Sequence, residues 1–402
     1  MSRKTVILAG PSGTGKKAHG GQRQAAPHGG SPWLFSNEIR MDAATKAITP
    51  GSIVNVRDGG GYAIGTGHFN PHSLIAVRLL SAQCDAVIGQ DFFAARLARA
   101  LALRQRLYDK PFYRLAHGEG DHLPGLVIDR FADTLVVQTG SAGMERQADA
   151  IVAALDGLLA PQTIILRNDM PVRALEGLES RVAVLKGAGH RIQLEENGTR
   201  YFADLTEGQK TGWYYDQRDT RAFIAGLAKS KSVLDAYSYT GGFGIAAARA
   251  GAREVVCLDS SAPALALAED SARANSVTIQ AVRADVFTEL ERLAGQGEAF
   301  DIVLADPPPF VKARKDLEAG ARAYRKLARM AALVTAKNGL LMLASCSHNI
   351  SMERFAAECG AGISRAGRQG GLIRQQGAGA DHPVHPLLPQ SAYLKTLVYA
   401  LD

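Results

Sequence analysis

From residue 233 onward the chain alternates strand and helix almost without interruption, and that rhythm limits the possible fold more than any other feature. β-Type runs at 233–236, 254–258, 301–305 and 340–345 are separated by helical periodicities at 243–250, 263–274 and 319–336. Strands joined by helical crossovers lie parallel, and the helices then cover both faces of one sheet. The expectation is an α/β fold whose C-terminal part is a Rossmann-like, doubly wound sheet of parallel strands. Ligands of such sheets bind beyond the carboxyl ends of the strands. The residues just past each strand therefore carry the functional reading.

The first strand runs into Asp235-Ala236-Tyr237-Ser238-Tyr239-Thr240-Gly241-Gly242-Phe243-Gly244 and then a helix. Glycines at a strand-to-helix turn let backbone approach a ligand where a β-carbon would obstruct it. The second strand ends at Asp259, followed by Ser260, where a carboxylate can accept hydrogen bonds from both ribose hydroxyls of an adenosine-containing cofactor. Asp285, followed by Val286, lies past the third strand and suits an adenine amino group. Gly242 to Ala247 also spells G-x-G-x-x-A, so a dinucleotide-dependent dehydrogenase is a competing reading. The acidic Asp235 at the start of the loop would repel a pyrophosphate and suits a cationic amine or sulfonium instead. These residues favour S-adenosylmethionine.

The fourth strand ends in Asp306-Pro307-Pro308-Pro309-Phe310. A proline run imposes an extended, rigid path without backbone donors, which would keep Asp306 aimed at a planar heterocycle. The fifth ends in Ser345-Cys346-Ser347-His348. The C5 position of a pyrimidine is a poor nucleophile, and methylating it requires prior attack on C6, for which thiolate is the best-suited side chain. Cys346 stands where that attack would start. Cys84, Cys257 and Cys359 read as small buried hydrophobes, and the spacing of the four cysteines gives neither a disulfide framework nor a metal site. His348 fits a proton relay or a place on the rim equally well.

Upstream of the doubly wound region the pattern differs. Short β-type runs at 52–56 and 74–79 between turn clusters predict a small β barrel within residues 1–81, with order beginning near Pro32 and an irregular stretch from Gly10 to Gly30. Helices at 91–108 and 148–159, with strands at 125–129, 134–139, 163–167, 181–185 and 191–195, predict an α+β domain over 82–195. The third domain is then 196–402. Residues 1–81 hold nine Lys/Arg against three Asp/Glu, whereas the rest of the chain is nearly balanced at 37 against 36. A basic excess confined to one module is the footprint expected of a polyanion binder. Gly10 to Lys17 nearly spells a phosphate-binding P-loop, but Lys17 replaces the Ser or Thr that would hold magnesium, and Gly20, Gly21 and Pro27 break the helix such a loop needs. No apolar run approaches the roughly 18 residues of a membrane span, and Val6 to Ala9 is too short for a secretory leader, so a cytoplasmic protein is expected.

At this point the residues resemble a known family, the bacterial large-subunit ribosomal RNA methyltransferase I family, which makes 5-methylcytosine in 23S ribosomal RNA. The resemblance rests on Pro32-Trp-Leu-Phe-Ser-Asn-Glu-Ile39, Gly120-Asp-His-Leu-Pro-Gly-Leu-Val-Ile-Asp129, Gly208-Gln-Lys-Thr-Gly212, Asp216-Gln-Arg218, Tyr239 to Gly244, Asp306-Pro-Pro, Ser345-Cys-Ser347 and His382-Pro-Val-His-Pro386. It implies a PUA-like RNA-binding barrel, a central α+β domain and a C-terminal class I methyltransferase domain. It further implies that the glycine loop with Asp259 and Asp285 holds S-adenosylmethionine, that Lys210 and Gln217 lie near that pocket, that Asp306 supports the target base, and that Cys346 is the nucleophile. The implied partner is 23S ribosomal RNA, with no membrane, and a homodimer is left open. A guanine-N methyltransferase and a non-catalytic RNA-binding factor are the alternatives.

Overall fold

The computed structural model describes residues 3–9, 30–189 and 191–402. They gather into two compact units, Met1–Gly189 with Asp381–Ser391, and His190–Ala380 with Ala392–Asp402.

The first unit contains two five-stranded sheets. Strands β1 (Thr5–Ile7), β2 (Trp33–Phe35), β3 (Ser52–Arg57), β4 (Ala63–Phe69) and β5 (Ile75–Ser81) form one, in the order β1-β3-β4-β5-β2. Its inward side chains, Leu34, Val54, Val56, Phe69 and Val77 among them, are fully buried in one apolar cluster. Order does not begin at Pro32 as the sequence suggested. Val6 and Leu8 alternate into this cluster, and burying them holds β1 parallel to β3 at the sheet edge, with Leu8 bridged to Ile39. The short strand before the P-loop-like motif therefore belongs to a largely antiparallel sheet. The motif's own loop, like the stretch expected to be irregular, falls on residues 10–29, outside the described residues.

The second sheet runs β10-β9-β8-β7-β6, from β6 (Phe112–His117), β7 (Leu126–Phe131), β8 (Thr134–Thr139), β9 (Thr163–Asn168) and β10 (Arg181–Lys186). The helices Gln90–Leu107 and Ala148–Leu159 bury Phe93, Leu97, Ile151 and Leu155 against it. Arg104, with no exposed surface, is held by both oxygens of Asp121 at 2.6 and 2.7 Å and by the Asp381 carbonyl at 2.7 Å. Asp381 Oδ2 also accepts the Arg114 backbone N–H at 2.9 Å. At Gly120 a β-carbon would meet the Pro383 carbonyl at 1.9 Å, so only glycine admits this approach. The sequence pieces around Gly120 and His382 thus meet as a structural seam.

The second unit opens with a two-stranded hairpin, β11 (Arg191–Glu196) and β12 (Thr199–Asp204). Its main sheet has seven strands: β13 (Ser232–Ala236), β14 (Glu254–Asp259), β15 (Gln280–Arg283), β16 (Phe300–Ala305), β17 (Thr335–Ser345), β18 (Gly370–Gln376) and β19 (Lys395–Leu401), in the order β15-β14-β13-β16-β17-β19-β18. The five strands β13 to β17 are parallel; β19 runs antiparallel to both β17 and β18. The strands read from the sequence are thus the parallel ones, and β18 and β19, which were not read, complete the sheet at its β17 edge. No helix long enough for a crossover separates β18 from β19, so the chain can return only in the opposite direction. Alternate residues supply two cores. Leu234, Val303 and Leu341 face the Leu317–Leu333 and Met352–Arg365 helices, whereas Val233, Ile302 and Met342 face the Arg218–Leu227 and Gly242–Arg249 helices. The strand order reverses between β13 and β16, which fixes where a ligand crevice must open. Among the described residues no helix is long and apolar enough to cross a membrane.

Candidate functional site

The turn after β13 is conformationally demanding. Tyr237, Tyr239 and Gly241 all take positive φ, at 61°, 49° and 77°, and strain of this kind concentrates where a ligand or catalytic group must be presented. The turn delivers the chain into the Gly242–Arg249 helix, whose Gly244 lies so close to β14 that a β-carbon there would sit 2.5 Å from Cys257 Sγ. Gly244 N–H donates to Asp235 Oδ2 at 2.8 Å. Asp235 is buried, and burial, with the nearby charges of Asp306 and Asp259, pushes its carboxyl up to about 7 against the Gly244 bond. That helix-terminal donor is thus occupied by the protein's own carboxyl group. A pyrophosphate, which needs such donors, loses one of them, and the dinucleotide reading of the glycine loop weakens accordingly.

At the end of β14, Asp259 Oδ2 accepts the Tyr239 N–H and Oδ1 the Ser261 N–H, both at 2.8 Å. Each carboxylate oxygen has further acceptor capacity for a ligand hydroxyl. A cavity of about 360 Å³ opens here, and its wall includes Lys210, Gln217, Tyr239, Thr240, Gly242, Phe243, Asp259, Ser260, Asp306 and Cys346. Five other expected residues do not form its wall. Asp235 and Gly244 lie beneath the turn joined to each other, and Gly241 packs against Ile245 and Ala268. Asp285 is exposed and caps the Val286–Gln296 helix, accepting Thr288 N–H at 2.9 Å, while Val286 is buried in the sheet core. Ser238 and Thr240 also belong to this wall, and their buried hydroxyls have no hydrogen-bond partner among the described residues. Buried polar groups of this kind call for a polar occupant, which fits an amino-acid-bearing nucleoside.

Several lining residues escaped sequence reasoning. Arg221 Nε donates to Glu196 at 2.6 Å, its guanidinium lies 4.6 Å over the Trp213 ring, and Trp213 Nε1 donates to the same carboxylate at 3.2 Å. Arg221, Trp213, Tyr214 and Asp216 precede β13 in sequence, so the alternating pattern gave them no weight. The local signals were the aromatic run Trp213-Tyr214-Tyr215 and the Asp216-Gln-Arg218 piece that follows it, to which no role for Asp216 had been attached.

Asp306 and Cys346 share the wall of the same cavity. Gln217 Nε2 donates to Asp306 Oδ2 at 3.0 Å. Burial, reinforced by the charge of Asp216, pushes the Asp306 carboxyl up to about 6, and Tyr393 donates its hydroxyl to Asp216 at 2.5 Å. Burial likewise lifts the Cys346 thiol to about 11, opposed by the positive charge of Lys210. The loop bearing Cys346 is tightly held: Ser345 Oγ donates to the Tyr324 hydroxyl at 2.8 Å, Ser347 Oγ lies 3.0 Å from that hydroxyl, and Lys395 Nζ donates to the Ser347 carbonyl at 2.9 Å. His348 is exposed, its ring 5.4 Å from that of Tyr393, and does not form the cavity wall.

Comparison with known proteins extends this picture. Residues 180–360 match the sequence profile of S-adenosylmethionine-dependent methyltransferases, and residues 22–82 that of PUA-like domains. The fold is shared with a putative SAM-dependent methyltransferase from Streptococcus mutans, at a TM-score of 0.80 and 22% identity, covering 99% of this chain and 100% of that one. A putative methyltransferase complexed with SAH is similar at a TM-score of 0.79 and 22% identity, covering 92% and 95%. The ribosomal RNA large subunit methyltransferase I of Photobacterium profundum is 37% identical over 372 residues, 90% of this chain and 94% of that protein. The protein of the same name from Aeromonas salmonicida is 36% identical over 375 residues, 91% and 94%. S-Adenosylmethionine is therefore the cofactor that the unpartnered hydroxyls and the Asp259 carboxylate are suited to receive. Identity at this level, sustained over both units, means that the chain belongs to the ribosomal RNA large subunit methyltransferase I family.

Proposed function

We propose that this chain transfers a methyl group from S-adenosylmethionine to C5 of a cytosine in 23S ribosomal RNA through a transient covalent bond to Cys346. The observation that carries this reading is that Cys346 and Asp306 share one cavity with Tyr239, Thr240 and Asp259. The target cytosine leaves its stack and enters the cavity, at a cost of a few kcal/mol. Cys346 gives up its thiol proton to solvent, its Sγ forms a bond to C6, and the electron pair of the C5–C6 double bond is displaced toward C5, which becomes nucleophilic. Asp306, with a carboxyl near 6, can accept from the N4 amino group when ionised or donate to N3 when protonated, offsetting charge that develops on the ring. S-Adenosylmethionine supplies the methyl group that C5 takes up. Loss of the C5 proton then returns the electron pair to the C5–C6 bond as the S–C6 bond breaks.

Asp259, Ser260 and the Tyr239–Phe243 turn would hold the cofactor, with Lys210 and Gln217 at the junction of the two subsites. In the division of labour we propose, residues 1–81 bind RNA, 82–195 form a central domain and 196–402 carry out transfer on ribosomal RNA in the cytoplasm. RNA containing 5-fluorocytosine tests the covalent step. Wild type should form a denaturant-resistant adduct that Cys346→Ala abolishes; an adduct persisting in Cys346→Ala overturns the reading. The raised Cys346 thiol favours a second reading, transfer to a guanine nitrogen, which requires full methyl transfer by Cys346→Ala.

A further inference from the structure

The proline run that lines the cavity continues into a short loop of unusual charge. Lys312, Arg314 and Lys315 follow Pro309 within six residues, and all three are exposed. Among the described residues their side chains make no hydrogen bond or ion pair. The acids nearest in sequence are engaged elsewhere: Asp316 accepts the Ala313 N–H at 3.1 Å, and Glu318 pairs with Arg354 at 2.8 Å. Asp316 keeps its negative charge in that bond, so the loop from Lys312 to Asp316 carries three positive charges against one negative.

The backbone of the loop is nevertheless fixed, and fixed to the segment that carries Cys346. Val311 N–H donates to Ser347 Oγ at 3.3 Å, and Asn349 Nδ2 donates to the Lys312 carbonyl at 3.1 Å. Phe310 N–H donates to the same Tyr324 hydroxyl that receives Ser345. At Gly320 a β-carbon would fall 2.5 Å from Val311 Cγ2 and 2.6 Å from the Phe310 carbonyl, so glycine lets the following helix press directly on the loop. Three unpaired cations thus stand on a loop that begins where the cavity-lining prolines end and that is hydrogen-bonded to the segment following Cys346.

We propose that Lys312, Arg314 and Lys315 form the phosphate-binding site for the single-stranded RNA segment that carries the target base. This rests on the reading of Cys346 and Asp306 as the target-base site. Phosphate contacts position a nucleic acid without reading its sequence, and a base turned out of its stack needs its flanking backbone held. Because the grip and the thiol share one hydrogen-bonded framework, holding the phosphates sets the distance from base to sulfur.

The test neutralises the loop in the full-length protein, as Lys312→Gln/Arg314→Gln/Lys315→Gln, and measures binding of single-stranded oligocytidylate from 0.05 to 0.3 M salt. Each phosphate contact on a single strand contributes about 0.7 to the slope of log affinity against log salt, so the variant should lose roughly 2 from that slope and bind about 50-fold more weakly near 0.15 M. A control, Lys229→Gln/Lys231→Gln/Arg253→Gln, removes equal charge at the amino ends of the strands, where Lys231 and Arg253 face Asp301, and should retain the wild-type slope. Both variants should bind S-adenosylhomocysteine like wild type by calorimetry. A loop variant that keeps the wild-type slope overturns the proposal while leaving the Cys346 chemistry standing, as does a control that loses as much. A wild-type protein that neither binds oligocytidylate nor forms the 5-fluorocytosine adduct overturns both.

Discussion

Tyr324→Phe isolates one hydroxyl whose loss should be felt at the Cys346 sulfur. The Tyr324 side chain is fully buried in the Leu317–Leu333 helix, and its ring packs against Phe310 and Phe355 with centroids 4.8 and 5.0 Å away, contacts that phenylalanine keeps. The hydroxyl alone joins Ser345, Ser347 and the Phe310 N–H, so the substitution loosens both neighbours of Cys346 without opening a large cavity. Ser347 Oγ still accepts the Val311 N–H, but Ser345 Oγ, wholly buried, loses its acceptor. A buried group left without its partner costs about 1 to 3 kcal/mol, which sets the expected loss of stability in a denaturant titration. If about 1.4 kcal/mol of that loss falls on the geometry of sulfur attack, adduct formation with 5-fluorocytosine RNA slows roughly tenfold. S-Adenosylhomocysteine affinity should not change, because Tyr324 forms no part of the cavity wall. Wild-type adduct kinetics in a variant that has lost the stability would show that Tyr324 braces the sheet alone and does not position Cys346.

The acid–base state of the thiol gives a second expectation. With its pKa near 11, Cys346 in the free enzyme should be alkylated by iodoacetamide about tenfold faster per pH unit between 7 and 10, followed by peptide mass spectrometry. Lys210→Gln, which removes the charge that lowers this pKa, should slow alkylation at every pH in that range; a rate that levels off below pH 9 contradicts the raised thiol. At the glycine turn, Gly244→Ala places a methyl group 2.5 Å from Cys257 Sγ and should cost about 1 to 3 kcal/mol by overpacking, with weaker S-adenosylhomocysteine binding. Adding Cys257→Ala makes room, so the double variant should recover affinity by calorimetry; a double variant no better than Gly244→Ala refutes the steric account.

Which parts of this were legible in the sequence follows from how local each signal is. Thr134–Thr139 and Ala148–Leu159 were read at their observed bounds, because a short alternating or 3.6-residue pattern suffices there. The Asp235–Gly244 turn and the Asp306 and Cys346 strand ends were legible for the same reason: strand, turn and reactive group lie within ten residues. β4 was missed because its two glycines and His68 dilute the β-type pattern, and β18 because it begins with Gly370 and Gly371. Trp213 and Arg221 owe their place at the cavity to Glu196, on a hairpin that only tertiary packing brings near. Sequence reading also paired Asp285 with an adenine from its place after a strand, whereas its strong preference as a helix cap was the nearer local fact.

The excursion of Asp381–Ser391 has a consequence for the molecule's modularity. Having completed β18, the polypeptide departs to contribute eleven residues to the N-terminal unit and then returns to thread β19 between two strands already laid down. Neither unit is thus a contiguous cassette. A fragment ending at residue 189 would bury Arg104 without the Asp381 carbonyl, and a fragment starting at residue 190 would carry a seam-forming segment with nothing to clasp. Recombination at a single point could not exchange one unit and leave the other whole, so the two units are constrained to be inherited together.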